Sequence, residues 1–278
     1  MDPKILHPGS AAGASQTPIE QASALEREAH RLRAEGKIDR AFQTFDQAAR
    51  LYQEAGEPLK AAVCFSSAAT CWNIHTGWQP LRNAATRNEF AALQAIAAED
   101  HAYAETLFSE AALLYEKEGD FTKYSDCYYR AKDARLSRLW RTFTQWGGSV
   151  PGVLEIQTVS WKDRSLAFLD WLFGNLNRLL WGYGELPFRT FGIACGVITV
   201  SAFCYYGSGR VLAWGSVQKV SFLESLYMSV ITYTTVGYGD FLPTGWIRCI
   251  AAFEALSGIL LTPLFLIALT RRYLRMYR

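Results

Sequence analysis

Charge is scarce in the second half of this 278-residue chain. From Thr190 to Thr270 only Arg210, Lys219, Glu224, Asp240, Arg248 and Glu254 carry one. A water-soluble domain rarely runs that far on so few ionised side chains, so a wholly soluble protein is excluded. Net charge is also small, since 28 Lys and Arg against 26 Asp and Glu leave +2. That balance argues against a polybasic nucleic-acid binder, and against a disordered chain of one charge sign. The six cysteines contain no CxxC pair and no metal-ligand spacing, and they are expected to be reduced, buried thiols. His7, His30, His75 and His101 have no evident nucleophile or ligand partner. Neither an enzyme nor a cofactor is expected.

What the charge-poor half does contain is long apolar runs. Residues 190–209 carry no charge, and residues 249–270 are interrupted only by Glu254. A hydrocarbon layer about 30 Å thick is crossed by about twenty helical residues at about 1.5 Å each, so both runs are expected to span a membrane. Neither is a signal peptide, because both lie far from the N-terminus. Arg178 and Arg189 precede the first run, and Arg271, Arg272, Arg275 and Arg278 follow the second. Arg210, Lys219 and Arg248 belong to the connection between them. The excess of cations outside the connection predicts that both termini are cytoplasmic and that the protein sits in the cell membrane.

The connection carries the chemistry. Residues 222–234 are apolar, yet about thirteen residues cannot span a membrane, so a short re-entrant helix is expected there. Thr235-Val236-Gly237-Tyr238-Gly239-Asp240 follows directly. Glycine at 237 and 239 permits the positive φ angles that aim successive carbonyls the same way. Neutral carbonyl oxygens can replace the water of a dehydrated cation and still release it. One chain supplies a single line of them, so several chains must surround an axis.

Over about residues 186–278 the sequence resembles two-span potassium channels, whose selectivity filter is TVGYG. The resemblance implies that K+ is coordinated by the carbonyls of Thr235, Val236, Gly237 and Tyr238, with Gly239 completing the filter. It also implies a homotetramer in which the 222–234 helix points its partly negative C-terminal end at a central cavity. Two support positions depart from the family's best-known pattern. Some members place a carboxylate where Ile231 stands, near the filter aspartate, so Asp240 requires another partner or water. The paired tryptophans of some members correspond to Tyr227 and Met228.

Three further residues of the second run bear on function. Aligning Trp246-Ile247-Arg248 with the family's Trp-x-Arg puts Gly258 at its inner-helix glycine. Gly258 and Pro263 are candidate gate residues, either as a hinge or through simple close packing at the glycine. Glu254 lies one turn before Gly258 on the same helix face, and an ionisable group within a span is functional by default. It either hydrogen-bonds behind the filter, to hydroxyls such as Ser229 or Thr232, or faces the cavity. With no arginine ladder and two spans, a voltage sensor is absent.

The N-terminal half is of another kind. Residues 1–16 read as a mobile tail. Residues 41–56 then match residues 104–119 at an offset of 63, with Phe45 aligned to Phe108, Ala48 to Ala111, Leu51 to Leu114 and Tyr52 to Tyr115. Phe65 and Ala68 continue the match to Tyr128 and Ala131. The pattern, over residues 17–137, resembles tetratricopeptide repeats and their SNAP-like relatives, which implies a cytoplasmic solenoid of stacked helices and a surface for a protein partner or ligand. In residues 138–189, Trp140, Trp146, Trp161, Trp171 and Trp181 favour a membrane boundary, and residues 163–181 are expected to form an interfacial amphipathic helix.

The expected fold is therefore all-α: a cytoplasmic helical-repeat solenoid joined through a linker to a two-span pore module occupying residues 190–278. The expected function is passive, K+-selective conduction. A membrane-anchored scaffold, with the pore secondary to partner binding, is the alternative.

Overall fold

The computed structural model describes residues 17–74, 79–144, 160–213 and 215–276. The expected tail at residues 1–16, together with Trp146 and His75, lies outside them. The chain divides into two compact units, the first reaching Arg135 and the second running from Leu136.

The first unit is built from α1 (Pro18–Ala34), α2 (Ile38–Glu54), α3 (Pro58–Ile74), α4 (Pro80–Ala97), α5 (His101–Glu118) and the first part of α6 (Phe121–Thr144). Local sequence explains the ends. Thr17 and Glu20 form a capping box at the start of α1, and Asp100 accepts the Tyr103 N–H at the start of α5. At the other ends Gly36, Gly56 and Gly119 take positive φ, and the next N–H closes back on the helix: Lys37 to Leu32, Glu57 to Tyr52 and Asp120 to Tyr115. The α4 terminus closes the same way, from Asp100 to Ala95, with Glu99 in place of glycine at φ 62°.

The helices bury alanine wherever they meet, so backbones approach closely and a few rings fill the notches: Phe45, Tyr52, Phe108 and Tyr115 are all buried. The 63-residue offset extends to element boundaries, since α2 and α5 begin at Ile38 and His101, and α3 and α6 at Pro58 and Phe121. It extends to side-chain pairs as well. Tyr52 donates to Glu26 at 2.8 Å and Tyr115 donates to Glu89 at 3.3 Å, each ring reaching back across 26 residues. Cys64 and Cys127, again 63 apart, are both fully buried, and burial pushes each thiol up to about 12.

In the second unit, the end of α6 packs on α7 (Trp161–Trp181), where Trp140 meets Trp171 at 4.7 Å and Phe143 meets Phe168 at 4.9 Å. Much of α7 remains apolar and exposed, including Leu169, Leu172, Phe173 and Leu176. Gly182, Tyr183 and Gly184 then take positive φ in succession, turning the chain into α8 (Pro187–Ser208). After α8 come β1 (Val211–Ala213), β2 (Ser216–Gln218), α9 (Phe222–Tyr233), β3 (Phe241–Pro243) and α10 (Ile247–Met276). The strands form one antiparallel sheet of order β2-β1-β3, which adds a β element to the expected all-α chain. Helices α8 and α10 are long and apolar enough to cross a membrane. Each packs on the other and on α9.

Two outcomes are expected of the first unit. Glu99→Gly should stabilise it by about 0.5–1 kcal/mol, because a left-handed residue with a Cβ is strained and glycine returns part of that gain through its freedom when unfolded. Slower amide exchange across α4 and α5 of the full-length protein would show it, and unchanged exchange would refute it. At pH 8 a maleimide should label Cys64 and Cys127 only after denaturation, since a raised pKa leaves almost no thiolate and burial blocks access. Rapid labelling of the native protein would contradict this.

Candidate functional site

The candidate site lies between α8 and α10, where the backbone leaves regular helix. Ser221 starts α9 with a capping box, its N–H donating to Glu224 at 2.7 Å. Helix α9 stops at Tyr233, and residues 234–240 are all exposed in the single chain. Within that stretch Thr235, Gly237 and Gly239 have φ of 58°, 51° and 79°, whereas Val236 and Tyr238 do not enter the positive region. An alternation of left- and right-handed residues lines successive N–H groups up on one side and the carbonyls on the other. Two of the three positions are glycine, which adopts this conformation freely. Thr235 is β-branched and must be held there by its surroundings.

Helix α9 does the holding at the inner end. The Thr235 N–H donates to the Thr232 carbonyl at 3.0 Å and the Gly237 N–H to the Ile231 carbonyl at 3.2 Å. Ile231 thus touches this segment through its backbone carbonyl. At the other end, the Asp240 carboxylate accepts the Phe241 N–H at 3.1 Å, with Tyr227 beside it. The Tyr227 ring meets Phe241 edge-on at 5.9 Å. The chain continues into β3, which pairs with β1, and Thr244 then donates its N–H and its hydroxyl to the Arg210 carbonyl at 2.9 and 2.5 Å. Arg248 closes the turn on the Pro243 carbonyl at 3.2 Å.

Glu254 is fully buried. The sequence left two placements open for it, and its side chain's polar contacts in the structure run to the two neighbouring helices. The Glu254 carboxylate accepts from the Tyr205 hydroxyl of α8 at 2.6 Å, and from the Ser229 hydroxyl of α9. Ser201 is a third partner, whereas Thr232 is not among its partners. One turn along α10, Gly258 lies so close to α9 that a Cβ there would stand 1.9 Å from the Tyr233 carbonyl oxygen. Gly258 is thus a point of close packing between α9 and α10. Helix α10 runs unbroken from Ile247 to Met276 with Pro263 inside it.

The sequence reading missed Tyr205, and it treated Tyr227 only as a departure from pattern. A signal for Tyr205 was available. Ser201 and Tyr205 make one polar stripe at helical spacing in an otherwise apolar run, and a buried glutamate requires such donors.

A family model described as ion channel matches residues 193–275. No curated protein and no solved structure matches the chain. The matched stretch includes most of α8, all of α9 and the 235–240 segment, and all but the last residue of α10. Residues 193–275 are thus similar to an ion-channel domain, and this stretch contains most of the two helices long and apolar enough to cross a membrane.

Gly258→Ala should destabilise the folded protein by about 1–3 kcal/mol, as overpacking does, because the clash is with backbone and not with a movable side-chain end. Thermal unfolding of the detergent-solubilised protein would measure the loss. A melting temperature equal to that of the wild type would show that α9 and α10 separate freely.

Proposed function

We propose that the chain is a K+-selective channel whose pore is formed by four identical copies. The observation that carries this reading is TVGYG in a backbone of alternating hand, at φ 58°, 51° and 79° for residues 235, 237 and 239, directly after a short helix between two spanning helices. A dehydrated K+ needs a cage of weak oxygen ligands, and the carbonyls of Thr235, Val236, Gly237 and Tyr238 supply it when four chains surround one axis. Exposure of residues 235–240 in the single chain agrees with a segment whose other face belongs to an ion path. The ion moves down its own gradient and no covalent step is involved.

The remaining parts fit around that pore. Both termini are assigned to the cytoplasm by the distribution of arginine and lysine. The exposed leucines and Phe173 of α7 suit an interfacial helix on the inner leaflet. The duplicated helices of the first unit, with their paired Tyr–Glu hydrogen bonds, support a helical repeat that assembles or regulates the channel. Pro263 marks where α10 loses a backbone hydrogen bond, and a gate is assigned there.

Full-length protein in liposomes should pass K+ in preference to Na+, and external Ba2+ should block the flux. Replacing Gly237, Tyr238 and Gly239 together by alanine should abolish flux while the protein still inserts. Wild-type liposomes that hold a K+ gradient unchanged would reject the channel reading in favour of a membrane-anchored scaffold.

A further inference from the structure

The contacts of Glu254 belong to a longer polar seam. On α10 the seam residues are Glu254, Gly258 and Thr262, four apart. On α9 they are Ser229 and Tyr233, and on α8 they are Ser201 and Tyr205, again four apart, so each set lies along one helix face. The links run straight across: the Tyr205 and Ser229 hydroxyls to Glu254, and the Tyr233 carbonyl against Gly258. The Ser229 hydroxyl also reaches the Ile198 carbonyl of α8 at 2.7 Å. Three helices thus meet at one fully buried carboxyl group whose two oxygens face donors from both neighbours.

We infer that this seam is a register latch in which Glu254, Tyr205 and Ser229 act as positioning residues for the inner end of the ion filter. Such a latch rests on reading residues 235–239 as that filter. Within an apolar layer a carboxyl group is a poor choice for adhesion alone, because an aliphatic side chain packs there without desolvation. What a carboxyl group adds is direction. Hydroxyls from two helices converge on its oxygens in a single arrangement, and sliding α9 one turn along α10, about 5.4 Å, leaves donors and acceptor unmatched. Tyr233, the last residue of α9, is held at Gly258 one turn beyond. Only Thr234 separates Tyr233 from Thr235, whose N–H is bonded back to Thr232. The inner ring of the filter therefore inherits its height from the latch.

The test uses full-length Glu254→Leu, Glu254→Gln and Tyr205→Phe in liposomes and planar bilayers, scored for both assembly and the K+/Na+ permeability ratio. Glu254→Leu should assemble at wild-type yield or better, while its permeability ratio falls by on the order of tenfold, a typical coupling between touching residues. Glu254→Gln still accepts from Tyr205 and should recover part of the ratio, with Tyr205→Phe also reduced. A seam that served adhesion alone would leave the ratio unchanged in every variant that assembles, and that result overturns the latch. Failure of all three to assemble also overturns it, by making the seam a folding element. Wild-type protein that passes no K+ would instead overturn the channel reading, and the latch with it.

Discussion

Peptide groups that leave a helix must find other hydrogen-bond partners, and residues 235–240, between two long apolar helices, are where this chain meets that constraint. The surrounding elements are arranged as its solution. Helix α9 supplies the Thr232 and Ile231 carbonyls at one end, and at the other the Asp240 carboxylate accepts the Phe241 N–H. The short sheet then carries the chain away from the segment by pairing β3 with β1. A strand of three residues has little stability of its own. Its value here is that β1 directly follows α8, so the Asp240 end of the segment is tied to the C-terminal end of α8.

The same logic explains why polar and small residues interrupt two helices that are otherwise apolar. Transmembrane-type packing gains little from burying aliphatic surface against lipid of the same polarity, so close approach and directed hydrogen bonds must do more of the work. Gly258 provides the first and Glu254 the second, one turn apart on α10. In the first unit the solution differs. There alanine-rich faces and buried rings form the core, and polar pairs such as Tyr52 with Glu26 sit at its margin.

Legibility in the sequence followed the range of the interaction. TVGYGD is contiguous and so stands out as a motif, as do the two apolar runs and the short helix before it. Tyr205 and Glu254 are 49 residues apart, and nothing local to either names the other. Gly258 was ambiguous for a different reason. Glycine serves both a bend and a close contact, and only the position of the Tyr233 carbonyl separates the two. The three strands are shorter than any alternation that a sequence pattern can display. The 63-residue repeat was visible in its aromatic and alanine positions, yet Glu26 and Glu89 read as ordinary surface charges until the tyrosines reached them.

Reading the 63-residue correspondence as two three-helix copies has a consequence for how the first unit can vary. The described turns between its helices close in the same manner, and α3 contacts α4, where one such copy would meet the next. A surface that receives one copy is therefore already present for another. The module can lengthen or shorten in whole steps of three helices without a new core having to be invented. A single inserted helix would instead place every later face out of phase. Length variation among chains built on this plan should accordingly be quantised, with insertions tolerated at the turns and complete copies gained or lost between them.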